Sequence, residues 1–379
     1  GTVDYPDLSF LALHTDWEDL SRSGIEYIFS HELSHVWLLW LGFPPECSQS
    51  NRFHTCTAIT DSYLAFFEGF AEHFEILSTP RTPDELHDYG YDVNAWLCYR
   101  DEALRYHAVL NNRFLYLTAE PEEANAGDYA ALHALHNTSS AFLPEKLKNG
   151  RQAVASEGLI ASFFYRFVTH EKIRSSGDSA ALSARFASGE PVGAEDLVYL
   201  KILYAMSQMD FAKDPLLTEF VERYIACFPE EREAVIDVFG QVTHFVTVSA
   251  EAQKVFGGLY TAGRIGDIER LKAELDKAET FKKQMKAGIL SGERALNEAV
   301  APSLWLTADR EILPVPWETT SREKLKIDVN AATAVDFLAL DGVTPENARK
   351  LVAVREERGG FLSLQEFAQA KEEICKQAG

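Results

Sequence analysis

Residues 31–35 read His-Glu-Leu-Ser-His, two imidazoles four positions apart with a carboxylate beside the first. On a helix, positions i and i+4 lie one above the other, so His31 and His35 can grip a single metal ion. Glu32 is rotated from both by the helical pitch and ends beside the metal's open position. Two neutral imidazoles suit Zn²⁺, and a neighbouring carboxylate can take the proton of a bound water; the chemistry on offer is hydrolysis by activated water. The setting favours a helix in an apolar wall. Ile25, Ile28, Phe29, Val36 and Trp37 surround the pair, and Glu32 is the one acidic or basic residue between Ile28 and Trp40, histidines aside.

A catalytic zinc takes three protein ligands and leaves the fourth position to water. Downstream, apolar residues at 63, 64, 66, 67, 70, 71 and 74 recur at helical spacing and predict a second, buried helix. Glu68 falls within its apolar face, where a carboxylate is costly unless paired or bound to a metal. Gly69 beside it permits close approach of another helix. Glu72, one turn on, can accept the second ring N–H of a ligating histidine. Glu157 competes as third ligand, because Glu157-Gly158 also heads an apolar stretch; Glu68 is preferred for its spacing and its Glu72 partner. Such a site also needs a donor for developing negative charge, and Tyr165, His133 and His136 are the candidates, Tyr165 first.

His31-Glu32-Leu33-Ser34-His35 followed by Glu68-Gly69-Phe70-Ala71-Glu72 resembles the gluzincin branch of zinc metallopeptidases. The resemblance spans residues 31–72 and implies a zincin-like core with an active-site helix, an edge strand above the cleft and a glutamate-bearing helix. It implies His31, His35 and Glu68 as Zn²⁺ ligands, Glu32 as general base, Glu72 as an outer carboxylate and a peptide or protein as substrate. The long gap from His35 to Glu68 departs from the group's pattern; with Pro44-Pro45 and Cys47…Cys56 it reads as an inserted loop whose cysteines are bridged or remain thiols. Leu8–Leu13 is the candidate for a surviving edge strand.

Behind these residues stands a chain of 379 residues, 46% hydrophobic, enough for two or three domains and a sizeable core. No apolar run is long enough to span a membrane. A net charge of −22 argues against a broad nucleic-acid surface. Five cysteines without a Cys-x-x-Cys pair suggest no second zinc site. No signal peptide is visible; the compartment stays open, and a soluble, extracytoplasmic setting is compatible. Residues 84–116 and 151–172 read as helices, 194–257 as two or three more, and 266–297 as a charged, solvated helix. Leu304–Thr307 and Glu311–Pro316 read as a short strand pair or an extended connection.

The last residues change character. Lys326-Ile327-Asp328-Val329-Asn330-Ala331-Ala332, a hairpin at Asp341-Gly342-Val343-Thr344, and Arg355-Glu356-Glu357-Arg358-Gly359-Gly360-Phe361 resemble the helix-hairpin-helix of competence-type DNA-binding proteins. Members use hairpin N–H groups against phosphates. Here Asp341 precedes the hairpin glycine, and residues 322–379 carry nine positive against ten negative side chains. Docking to protein through residues 326–370, rather than nucleic-acid binding, is the expectation. The fold class expected is α+β and mostly helical: a zincin-like catalytic region over 1–175, a helical lobe and connection over 176–320, and a small all-α helix-hairpin-helix domain over 321–379.

Overall fold

The computed structural model describes residues 25–44, 48–49, 54, 56, 58–78, 109, 112–118, 142–175, 193–256, 268–312 and 323–376. Among these the chain is mostly helical with two small antiparallel sheets, an α+β arrangement. The candidate strand at Leu8–Leu13, His133, His136 and Cys47 lie outside the described residues.

Two helices carry the motifs. Helix α1 (Ile25–Trp40) bears His31, Glu32 and His35; α2 (Ser62–Ser78) bears Glu68, Glu72 and Glu75. Asp61 caps α2, its Oδ1 accepting the N–H groups of Tyr63 and Leu64 at 3.0 Å each. The two helices meet through Trp37 on Phe74, with ring centroids 5.0 Å apart.

The segment 112–118 ends in a 3₁₀ turn and strand β1 (Tyr116–Thr118), which pairs with β2 (Phe142–Leu147). This corrects the helix expected to run to Tyr116: Tyr116, Leu117 and Thr118 instead find backbone partners on β2. The helix expected over 151–172 is likewise broken. Helix α3 (Gly150–Val154) and α4 (Glu157–Thr169) are separated where Ser156 forms a bridge with Ile59 and Ala155 accepts the N–H of Thr60 at 2.9 Å. That backbone pairing pulls Ser156 into an extended conformation and sets the start of α4 beside the approach to α2.

Helix α4 fills the centre. Its Phe163, Phe164 and Phe167 interlock with Phe66 and Phe70 of α2 and with Phe220 and Tyr224 of α7 (Leu216–Cys227). Helices α5 (Glu171–Ser175), α6 (Ala194–Met206), α8 (Arg232–Thr243) and α9 (Ile268–Ser291) close around it, in one apolar core running from Leu38 to Leu296. The core therefore continues across the expected boundary at residue 175. Helix α9 is charged outside, as expected, and seats Ala278, Phe281, Met285 and Ile289 inside.

A second core holds the C-terminal unit: strands β3 (Trp305–Ile312) and β4 (Glu323–Asp328), then α10 (Ala334–Phe337), α11 (Pro345–Arg358) and α12 (Leu364–Lys376). Ala308, Leu325 and Ile327 contribute to that core, so the unit draws on residues before 321 and is not all-α. The partner of β3 is β4, not a strand at 311–316, because the alternating Leu325 and Ile327 give β4 an inward apolar face. Thr333 and Thr344 cap α10 and α11, Gly342 turns the hairpin at φ +74°, and Gly359 ends α11 at φ +75°.

This unit is anchored to the first. Arg151, 3% exposed, donates from Nε to Asp328 at 3.0 Å and through both terminal nitrogens to Asp214 at 2.9 and 2.6 Å. Asn149 donates to the carbonyl of Asn330 and Gln152 to that of Ala331. Asp214 in turn accepts from Ser62, the first residue of α2, at 2.5 Å.

Candidate metal centre

The imidazoles and Glu68 converge. His31 Nε2 lies 3.2 Å and His35 Nε2 3.4 Å from the same oxygen, Glu68 Oε2. In a tetrahedral zinc site with bonds near 2.0–2.1 Å, neighbouring donors stand about 3.3–3.4 Å apart. The donor set, two imidazole nitrogens and a carboxylate oxygen, could hold a metal ion, and the two nitrogen-to-oxygen distances are of that size. His35 is oriented by stacking on Phe67, centroids 4.0 Å apart, while its Nδ1 is buried without a hydrogen-bond partner.

The second nitrogen of His31 is held differently from expectation. Its Nδ1 meets Glu75 Oε2 at 3.0 Å, so Glu75, not Glu72, orients this ring. Residues 68, 72 and 75 share one helical face, and the extra three-residue step brings Glu75 into line with His31. Glu72 stays in the cluster: buried, it joins His31 and Glu75 in a group of potential ligand atoms within 4.8 Å of one another. Glu157 does not reach the histidine pair. It is 2% exposed, and its Oε2 meets His54 Nδ1 at 3.2 Å.

His54 is the residue that sequence reasoning missed. It comes from the segment between the two motifs, and its Nε2 faces Glu68 Oε1 at 3.9 Å. The hydrogen bond to Glu157 outweighs burial, and with the charges of Glu157, Glu68 and Glu72 it pushes the His54 pKa up to about 9. Tyr165 stands two helical turns beyond Glu157, about 12 Å of helix rise, and its described packing is with the apolar core. The described contacts do not bring it to the cluster.

Charge in the cluster is held in balance by protons. Burial acts to lower the pKa of His31, but the carboxylates of Glu68 and Glu75 prevail and push it up to about 11. Burial acts to raise Glu68, and hydrogen bonds from His31 and His35 prevail, holding it well below the usual carboxylate range. A site that retains a proton so firmly among three acidic side chains has the electrostatics of a cation site. Glu32, next to His31 on α1, is half-buried.

Close packing makes the convergence possible. A Cβ on Gly69 would collide with the Glu157 carbonyl and with Ile160, so α2 and α4 approach to backbone distance there. Gly158 is pinned in the same way between the Cys56 carbonyl and the Phe114 ring. Cys56 is a thiol, not half of a bridge with Cys47.

In the C-terminal unit, Asn330 of the opening motif ties three segments. Its Nδ2 donates to the carbonyls of Pro302 at 2.8 Å and Phe361 at 2.9 Å, and its Oδ1 accepts the Phe361 N–H at 2.8 Å. Residues 322–372 match the family of the helix-hairpin-helix motif. The C-terminal unit is a helix-hairpin-helix. The first N–H of its hairpin, on Asp341, donates to the carboxylate of Asp309 at 2.8 Å, while the Val343 N–H returns to Leu340. Searches of curated proteins and of solved structures found no match to the chain. No helix among the described residues is long and apolar enough to cross a membrane.

Proposed function

We propose that the chain is a zinc-dependent peptidase of the gluzincin type, with a zincin-like core and a helix-hairpin-helix unit docked on it. The observation that carries this reading is the meeting of His31 Nε2 and His35 Nε2 on one oxygen of Glu68, with Glu75 behind His31. His31, His35 and Glu68 would hold the ion, which when bound supplies a Lewis acid and a water of near-neutral pKa.

The chain's own groups divide the remaining work. Glu32 takes a proton from the attacking water and delivers it to the leaving amine, so one carboxylate serves as base and then as acid. His54, cationic at neutral pH and held by Glu157, donates to the oxygen on which negative charge develops as the carbonyl is attacked. This is the role assigned from sequence to Tyr165, His133 or His136. Glu75 keeps His31 Nδ1 protonated, which leaves Nε2 as the metal-facing nitrogen. Phe67 fixes the plane of the His35 ring.

The helix-hairpin-helix unit serves as an intramolecular brace in this reading. Its opening residues 328–331 face α3 of the same chain, its hairpin N–H is taken by Asp309, and its charge is close to neutral. All three features favour protein docking over duplex binding.

The experiment compares the unaltered chain with Glu32→Gln in a zinc assay and a generic peptide-cleavage assay. Retained zinc with cleavage lost at least 100-fold is expected. A zinc-bound, folded chain that cleaves no peptide would instead favour a scaffold that keeps the metal fold. Cleavage within tenfold of normal in Glu32→Gln would remove that residue from its role.

A further inference from the structure

We propose that the helix-hairpin-helix unit sets the geometry of the metal centre, with Asp328 and Ala331 of its opening motif as positioning residues for α2 and for the segment that carries His54. The proposal rests on the metallopeptidase reading above and assigns that site a control lying in another unit of the same chain. The two units have separate apolar cores. Part of their border is unfilled: a cavity of about 270 Å³ lies between Leu117 and Leu147 of the β1–β2 sheet and Arg349 and Val352 of α11. The turn 328–331 does cross the border, and what it grips is the ground from which α2 starts.

One route runs through charge. Asp328 divides its carboxylate: Oδ1 accepts the N–H groups of Leu304 and Asn330 at 3.0 and 3.1 Å inside its own unit, and Oδ2 accepts from Arg151 Nε at 3.0 Å across the border. Arg151 donates onward to Asp214 at 2.9 and 2.6 Å, and Asp214 Oδ1 accepts the Ser62 hydroxyl at 2.5 Å. A guanidinium is a rigid plane, so a fork onto one carboxylate and a third bond to another pass on orientation as well as charge. Ser62 opens α2 between Asp61, which caps the helix, and Tyr63, whose hydroxyl donates to the Phe211 carbonyl at 2.5 Å. Phe211 and Asp214 belong to the same connection between α6 and α7. Helix α2 is therefore seated on a stretch of chain that Arg151 holds and Asp328 orients.

The other route runs through packing. Ala331, 1% exposed, joins Ile59, Leu117 and Ala155 in a small apolar cluster, and its carbonyl accepts from Gln152 Nε2 at 2.9 Å. Ile59 pairs with Ser156, and the Thr60 N–H donates to Ala155 at 2.9 Å, which fixes the stretch just before α2. His54 lies upstream of that stretch and Glu68 downstream. From Ser62 to Glu68 the helix rises about 9 Å, too short a rod to absorb a tilt at its start. A metal site is held to within about 0.5 Å, so a small displacement of Ser62 or Ile59 shifts Glu68 against His31 and His35 of α1.

The test measures zinc affinity of the full chain by competition with a chelating dye, for Asp328→Asn, Ser62→Ala and the two together. Each single change should weaken zinc about 3–10-fold. The double variant should lose no more than about twice what the weaker-binding single variant loses, because both changes cut one chain of contacts. A double loss close to the product of the single losses, or a single loss below about twofold, would overturn the proposal. Asp309→Asn, which releases the Asp341 N–H inside the same unit, is the control for general weakening of that unit and should stay within about twofold of the parent. A loss there equal to that of Asp328→Asn would overturn the positioning role. If Asp328→Asn does not fold, Arg151→Lys takes its place in the cycle under the same criteria. An unaltered chain that binds no zinc would remove the metallopeptidase reading and this proposal with it, whereas zinc bound by the parent and equally by the variants would overturn this proposal alone.

Discussion

Arg151 joins three parts of the molecule that are distant in sequence, and its removal should be felt in all of them. The side chain bridges Asp328, 2% exposed, and Asp214, whose side chain is 28% exposed. Arg151→Ala would leave two carboxylates facing a vacated buried site. Removing one member of a buried ion pair typically costs about 3–5 kcal/mol. The lower end applies here. Asp328 keeps the N–H groups of Leu304 and Asn330 at 3.0 and 3.1 Å, and Asp214 keeps Ser62 and Ser303 and some contact with water. A loss of about 3 kcal/mol is expected, roughly a 100-fold fall in the folding constant. Arg151→Lys, which preserves charge but not the fork onto Asp214, should lose less than half of that. Denaturant midpoints followed by circular dichroism give the stability change. Hydrogen exchange locates it, with faster exchange expected both over residues 328–331 and in the first turn of α2, where Ser62 depends on Asp214. A loss below about 1 kcal/mol, or exchange confined to the C-terminal unit, would refute the claim that this network braces the ligand helix.

Glu75→Gln should weaken zinc binding by about 10–100-fold while Glu72→Gln weakens it less, measured by competition with a chelating dye; the reverse order would return the orienting role to Glu72. His73 and His244 are buried with pKa values pushed by burial down to about 3, against 6.5 in the unfolded chain, so their contribution is complete above pH 6.5 and is lost as pH falls toward 3. Metal-free protein should therefore lose about 2 kcal/mol between pH 6 and pH 5, where His31 and His54 change little because both states already carry their protons; unchanged denaturation midpoints across that interval would contradict it. The full chain should bind duplex DNA no tighter than about 100 µM at physiological salt, by titration against a labelled duplex, and micromolar binding that weakens steeply with salt would overturn the bracing role of the helix-hairpin-helix.

The parts of the site legible in the sequence are those governed by helical period. His31 and His35 fall on one face at a spacing of four, Glu68 announces itself as a carboxylate in an apolar stripe, and Gly69 marks the approach of α4 that the packing displays. Glu75 carried the same signal, seven positions from Glu68 and on the same face, but Glu72 one turn away offered a nearer candidate. His54 had no such signal. It lies in a non-periodic segment and reaches the cluster only because Ile59 and Thr60 pair with Ser156 and Ala155, a long-range contact that neighbouring residues do not encode. The same holds for Arg151, whose partners lie at 214 and 328. Short elements leave little trace in a sequence: β1 is three residues long, too brief for alternation to show, and β4 runs into the opening of the helix-hairpin-helix motif, whose pattern masks it.

Zinc content and coordination of the purified chain test the central claim most directly. X-ray absorption at the zinc edge should show one ion per chain bound by two imidazole nitrogens and a carboxylate oxygen. His31→Ala, His35→Ala and Glu68→Ala should each lose the stoichiometric ion, whereas Glu157→Ala keeps it with affinity within about tenfold of the parent. A chain that takes up no zinc, or that keeps it in Glu68→Ala and loses it in Glu157→Ala, would contradict the account.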